Sequence, residues 1–459
     1  MSIGYNPTVS KSVKPPAHSP TGIKSPVRIW NLLDPRNARL HHKFLWRRDS
    51  AVLLHRLSDG HAIPPINQLP VEILGEIFGQ CLLDFPPLHM RSCHRSLSPS
   101  PYTDPLVLGQ VCRYWRGVTL ATPALWSTIC IIRPKQQHVQ KVAVWLERSR
   151  GCGLSLKLIQ PATPGLHDHS VTDEILSLLI TQVHRWREID FSFTSIAQQP
   201  LLMIPEGATL ALESATISNE LWDYASMNRL WRIIHSSPVI HYMDWMWPCN
   251  QAPDHLSISQ LSHLTLRWVL NVEILIEILR SCNQVVELRL HSLWSDYSPG
   301  YFPPLVLPNL RVLSVTDATD PGPLFCRLTL PSLTSVEFTT PIRQRNDFLD
   351  LLDRSCCSLA KFTFPGLHLD EADLRGYLAA PHLGSLRELE LRGPPSDRVF
   401  TSFTRQYLDE QKSWLLPKLE VLRLTNVCCT SEGLLCGTIL SRLSSIGQPF
   451  NGQFTPTMR

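Results

Sequence analysis

Seven times in the second half of this 459-residue chain a hexad of the form apolar-x-x-apolar-x-apolar returns. It occurs as LSHLTL from Leu261, VVELRL from Val285, LRVLSV from Leu310, LTSVEF from Leu333, LAKFTF from Leu359, LRELEL from Leu386 and LEVLRL from Leu419. The starts lie 24, 25, 23, 26, 27 and 33 residues apart. Weaker copies stand upstream at WREIDF (Trp186), LESATI (Leu212) and IHYMDW (Ile240), with LSLKL near Leu154 as a first strand. The last two apolar positions flank a polar one, so both enter one side of a short strand. A proline often stands one or two residues ahead. Between the hexads, VEILIEILRSC, NDFLDLLDRSC and EADLRGYLAA carry apolar residues at helical spacing. One strand and one helix per unit cannot bury their apolar faces alone, so successive units must stack.

A period of this size belongs to leucine-rich repeats. It predicts a curved solenoid over residues 136–447, with strands lining the concave side and helices outside. An ordinary α/β domain with buried strands is the alternative, and the near-even spacing disfavours it. The strand positions that alternate with the core residues are His263, Thr265, Arg267, Glu287, Arg289, His291, Glu337, Lys361, Glu388, Glu390, Arg392 and Arg423. Each by itself reads as a solvated strand residue; as a set they form a mixed ladder of charges suited to a polar protein surface or a modified peptide. Trp245, Trp247 and Trp294 are further candidate contacts, although tryptophan in a solenoid more often packs a helix on a strand.

A helical block precedes the repeats. In INQLPVEILGEIFGQCLL, Pro70 fits the first helical position, where its missing N–H would have had no partner. Glu72 suits the positive end of the helix dipole. Val71, Leu74, Ile77, Phe78, Cys81 and Leu82 form one apolar face, and Ile73 widens it. A Pro/Ser-rich stretch at 84–104 reads as a surface loop. PLVLGQVCRYWRGVTLAT then reads as a second helix with Leu108, Val111, Cys112, Trp115 and Val118 on one stripe and Arg113 and Arg116 outward. In TPALWSTI, Thr122 can cap a third turn that points Trp126 inward. On this reading Ile77, Val111, Trp115 and Trp126 are core.

Residues 1–60 form a basic, Pro/Ser-rich tail with too little apolar content to fold, apart from short helices at VRIWNLL and AVLLHRLSDG. Residues 1–65 carry ten Lys/Arg against three Asp/Glu, although the whole chain has a net charge of only +4. This basic start and CRYWRGVTL leave a nucleic-acid-associated protein as a minor alternative. The thirteen cysteines are scattered, and no two are separated by two residues, which removes the usual zinc-ribbon and RING spacings and points to a reducing compartment. His89, Cys93 and His94, like His167 and His169, lack a standard ligand spacing, so neither metal nor cofactor is expected. There is no Gly-rich loop ending in Gly-Lys, no H-E-x-x-H and no G-x-S-x-G. With no signal-peptide core and no membrane-spanning apolar run, the expected location is intracellular, cytoplasmic or nuclear.

INQLPVEILGEIF followed by PLVLGQVCRYWRGVTLATPALWSTI resembles the F-box, in particular the F-box-like proteins of mushroom-forming fungi. The features that carry the resemblance are Leu69–Pro70, the pairs Ile73/Leu74 and Ile77/Phe78, LGQVCRYWR and the TPALW turn. The expected fold class is therefore α+β multidomain. A small three-helix F-box bundle (61–135, with the insert at 84–104) would be followed by an α/β leucine-rich-repeat solenoid, or horseshoe, and residues 448–459 would form a disordered tail. The resemblance implies a non-catalytic substrate receptor that docks on a Skp-type adaptor, and through it on a cullin scaffold, in an SCF ubiquitin ligase. It implies adaptor contacts at Leu69, Pro70, Ile73, Leu74, Ile77 and Phe78, then at Leu108, Val111 and Trp115, with an unknown protein substrate on the concave face. A repeat scaffold that binds partners without degradation uses the same surfaces. With its adaptor face uncovered, the isolated chain is expected to be poorly soluble.

Overall fold

The computed structural model describes residues 65–82, 105–161, 169–193, 199–219, 221–247, 251–254, 259–268, 271–294, 304–318, 320–339, 345–365, 371–392, 397, 416–425 and 433. The short helices expected within 28–60, the insert at 84–104, the helix expected in SEGLLCGTILSRLSSIG and the tail 448–459 lie outside them. Two compact units divide the chain between Gln68 and Leu69. The described part of the first is a 3-10 turn at Pro65–Gln68. All that follows belongs to the second.

That unit begins with helices α1 (Val71–Leu82), α2 (Pro105–Leu108) and α3 (Arg113–Ala121), then a 3-10 turn at Pro123–Trp126. Strands and helices then alternate: β1 (Thr128–Ile132), α4 (Gln136–Arg148), β2 (Leu154–Gln160), α5 (Ser170–Ile180), β3 (Trp186–Phe193), α6 (Gln199–Leu202), β4 (Ser214–Asn219), α7 (Tyr224–His235), β5 (Tyr242–Met246) and β6 (His263–Arg267). Next come α8 (Val272–Arg280), β7 (Glu287–His291), β8 (Leu305–Val306), β9 (Val312–Thr316), α9 (Gly322–Phe325), β10 (Leu328–Thr329), β11 (Ser335–Phe338), α10 (Arg345–Ser355), β12 (Lys361–Pro365), α11 (Glu371–Leu378), β13 (Glu388–Arg392) and β14 (Val421–Thr425). Among the described residues every strand pairing is parallel. Twelve strands form one sheet in chain order, and β8 and β10 pair separately.

Each hexad supplies one strand, and neighbours pair residue for residue. The second strand positions run Ile129, Leu156, Ile189, Ala215, Met243, Leu264, Leu288, Leu313, Val336, Phe362, Leu389 and Leu422. The fourth positions run Ile131, Leu158, Phe191, Ile217, Trp245, Leu266, Leu290, Val315, Phe338, Phe364, Leu391 and Leu424. From β1 through β13 these side chains are buried. The prolines ahead of the strands have a local role. In LPNL, LPSL and LPKL the N–H groups of Leu310, Leu333 and Leu419 donate to the carbonyls of Leu307, Leu330 and Leu416. Proline at the second position of such a turn presets its φ.

The core between strands and helices is aromatic in places. Trp231 on α7 meets Trp245 and Trp247 at ring-centroid distances of 5.2 and 5.5 Å. Phe338 meets Phe325, Phe348, Phe362 and Phe364 within 6 Å. Sequence boundaries put the first strand of the repeats after residue 135, whereas β1 lies ahead of that limit and is the first strand of the sheet. The bundle therefore runs into the sheet without a break. Trp126 is fully buried at this junction; its Nε1 donates to the Thr119 carbonyl at 2.9 Å, and its ring meets Trp145 of α4 at 5.6 Å. The guanidinium of Arg148 lies 4.4 Å from the same ring. Among the described residues no helix is long and apolar enough to cross a membrane.

His235, the last residue of α7, is buried against Trp231, 4.3 Å between ring centroids, and neither ring nitrogen has a hydrogen-bond partner. Burial pushes its pKa down to about 3 from an ordinary 6.5. The unfolded chain takes up a proton at this residue below about pH 6.5, and the folded chain does not. Stability is thus intact above that pH and falls as the pH drops toward about 3. His235 alone should cost about 2 kcal/mol between about pH 7.5 and about pH 5, measured as a shift in urea unfolding. His235→Phe should flatten that part of the profile.

Candidate functional site

Two surfaces carry the residues singled out from sequence. The first is the helical bundle. Leu69 is half-buried, and its carbonyl accepts a 3.0 Å hydrogen bond from the Tyr114 hydroxyl, which brings α3 against the start of α1. Pro70 is exposed, and the Leu74 N–H donates to its carbonyl at 3.0 Å. Gly75 lets α1 approach the turn at Thr122 closely: a Cβ there would lie 3.1 Å from Thr122 Oγ1.

The structure reassigns several residues of this bundle. The expected long second helix breaks at residues 109–112. α2 ends at Leu108, the Arg116 Nε–H donates to the Gly109 carbonyl at 2.9 Å, and Cys112 takes an extended conformation as the cap of α3, its sulfur accepting from the Trp115 N–H. The break takes Val111 off the helical stripe and leaves it 60 % exposed. Ile77, also read as core, is exposed as well, whereas Trp126 is core and Trp115 is half-buried against Phe78 at 4.7 Å. Leu74 and Phe78, which the resemblance turns toward an adaptor, are buried in the chain's own core. They shape the outer face rather than form it. That face carries Ile73 and Ile77 on α1 with Pro70 just ahead of it, and Tyr114 of α3 reaches its start through Leu69; Val111, in the break, is exposed as well. Leu108 is half-buried.

The second surface is the polar face of the sheet, formed by the odd strand positions. The register sets His263 beside Glu287, Thr265 beside Arg289 and Arg267 beside His291. It sets Lys361 beside Glu388, Glu390 beside Arg423 and the backbone of Arg392 beside that of Thr425. Most of the expected charges engage one another. Arg267 binds Asp244 of β5 through two hydrogen bonds, one of 2.7 Å from Nε. Glu287 takes Arg289 on its own strand and lies 3.9 Å from His263. Glu388 takes Lys361 at 2.8 Å and also Arg423. Glu337 accepts from Ser314 at 2.9 Å, and His291 shares a 2.5 Å hydrogen bond with Thr316. The pKa of His291 is lowered by burial and by Arg267.

Asp190 and Asp244, which the downstream hexads do not announce, belong to the same central row; they pair with Lys157 and Arg267. Of the candidate tryptophans, Trp245 and Trp247 are buried and Trp294 is exposed. Trp268, which no hexad position marks, is exposed too. His169 bonds Gln160, while His89, Cys93, His94 and His167 lie outside the described residues. Among the described residues no group of three or more potential ligands is placed to hold a metal.

These placements separate two substitutions on one helix. Leu74→Ala should destabilise the chain by about 2–5 kcal/mol through the cavity it leaves. Ile73→Asp, on the exposed side, should change stability by no more than about 0.5 kcal/mol. Urea unfolding of the two variants beside the parent measures the difference.

Among curated proteins nothing matches the chain. The F-box-like family matches residues 66–132, so the chain carries an F-box-like domain, a kind of domain that binds Skp-type adaptors and is typically non-catalytic.

Proposed function

We propose that the chain is the substrate-recognition subunit of an SCF-type ubiquitin ligase, with a Skp-type adaptor on the F-box-like bundle and a protein substrate on the concave face of a leucine-rich-repeat solenoid. The observation that carries the reading is the outer face of α1. Ile73 and Ile77 are exposed one turn apart, with Pro70 and Val71 exposed at the start of the same helix, while its inner face is engaged through Leu74 and Phe78. A helix with both faces apolar and only one of them covered fits a partner on the other. The strands support the second half of the reading, because they present a continuous row of polar positions in one register. In this role the chain does no bond chemistry. It holds a substrate lysine near an activated ubiquitin, and the gain is one of proximity. The resemblance to fungal F-box proteins and the cullin partnership belong to the same proposal.

The test uses the full chain, because a fragment ending near residue 135 would strip Trp126 of Trp145 and Arg148. Purified Skp-type adaptor is titrated into the chain and into Ile73→Asp/Val111→Asp. The parent should bind, and the double variant, equally folded by circular dichroism, should bind at least about tenfold more weakly. A folded parent chain that does not bind the adaptor overturns the reading.

A further inference from the structure

On the polar face of the sheet the ion pairs share one order: the base lies outermost and the acid lies beneath it. Arg289 is 49 % exposed over Glu287 at 24 %, and Arg423 is 53 % exposed over Glu388 at 24 %. His263 over Glu287, Lys361 over Glu388, Arg267 over Asp244 and Lys157 over Asp190 follow the same order. Away from this face the order is mixed: the acid is the more exposed in Glu206 with Arg232, Glu273 with Arg327 and Asp353 with His382, and the base in Arg187 with Glu213 and Arg387 with Glu420. At His263, Arg289, Lys361 and Arg423 the polar face thus shows the base above its paired carboxylate, whereas Arg267 and Lys157 are themselves largely covered.

Two exposed tryptophans follow neighbouring strands of this sheet. Trp268 directly follows β6, and its N–H donates to the carbonyl of His291 on β7 at 2.8 Å. Trp294 lies three residues beyond the end of β7. The two indoles, 44 % and 58 % exposed, therefore sit at the C-terminal ends of neighbouring strands beside Arg267 and His291. Trp268 has φ +57°, a conformation shared by Arg133, Ser292 and Asp317 directly after β1, β7 and β9, so it belongs to the strand end rather than to the tryptophan. Tryptophan and arginine are the residues that most often dominate a binding interface.

Resting on the receptor reading above, we infer that the ends of β6 and β7 are the centre of substrate contact, and that the occupant is a carboxylate-rich protein segment with an apolar side chain seated between Trp268 and Trp294. Its carboxylates meet Arg289 and His263. The carboxylates of Asp244 under Arg267 and Glu287 under Arg289 face either kind of anionic occupant, so a nucleic-acid strand is the outcome that the test separates from the acidic segment.

The test is fluorescence anisotropy with the full chain and three labelled probes: a twelve-residue peptide of alternating Glu and Leu, its Lys/Leu counterpart, and a twelve-nucleotide oligo-dT. The Glu/Leu peptide should bind at least tenfold more tightly than either other probe, and its binding should weaken as salt rises. Trp268→Ala/Trp294→Ala and, separately, Arg289→Glu should each weaken it at least fivefold with the unfolding midpoint unchanged. Trp294→Phe should recover most of the affinity lost in a Trp294→Ala single variant. No binding of the Glu/Leu peptide, equal binding of the Lys/Leu peptide, tighter binding of oligo-dT, or indifference to these substitutions overturns the inference. Adaptor titration of the same samples separates the two readings. Adaptor binding without peptide binding removes this inference alone, and peptide binding without adaptor binding removes the receptor reading while leaving the acidic-segment surface.

Discussion

The in-register pairing of parallel strands is the constraint from which the rest follows. Since the strands align with their neighbours residue for residue, save for a bulge at Arg187 where β3 begins, the even positions form two apolar rows and the middle odd position forms a polar row from Lys157 to Arg423. A shift of one residue at any strand would turn its leucines to water and its charges into the core. The helices between strands inherit their inward faces from those apolar rows. The odd positions inherit their spacing, about 4.8 Å from strand to strand, which is close enough for Lys361 to reach Glu388 and for Arg267 to reach Asp244. The charge pattern of the surface is therefore a product of the ladder that builds the core.

The bundle joins this ladder through one side chain. Trp126 is held from three sides, by the Thr119 carbonyl, the Trp145 ring and the Arg148 guanidinium. Thr119 belongs to the bundle, and Trp145 and Arg148 to the first helix of the strand-and-helix region, with β1 following Trp126 after a single residue. The outer face of α1 is thus fixed to the sheet by packing rather than by a flexible linker.

The strands were legible because a period of 23 to 33 residues and the alternation within each hexad are tertiary constraints written into sequence. The prolines of LPNL, LPSL and LPKL stood out ahead of the hexads, but the turns they open appear only in the structure. What was not legible has particular causes. β1, TICII, does carry the hexad form, as WSTICI from Trp126, but it overlaps the TPALW turn that reads as the end of the bundle. α1 is apolar on two sides, so spacing alone identifies the pairs Leu74/Phe78 and Ile73/Ile77 without saying which one the chain buries. The break after Leu108 depends on Gly109 and on a cysteine acting as a cap, a weak signal in any sequence. The tryptophans divide on position: Trp245 falls in an apolar row, while Trp268 follows a strand in a left-handed conformation that no composition rule announces.

A sheet built one strand per repeat also acts as a ruler. Counting from β1, which abuts the bundle, the end of β7 is six strand spacings away, about 29 Å along the sheet. Adding or deleting one repeat between them would alter that separation by a single spacing while leaving both end surfaces chemically intact. On the receptor reading proposed above, the distance from the bundle to a partner at the end of β7 would change only in discrete steps.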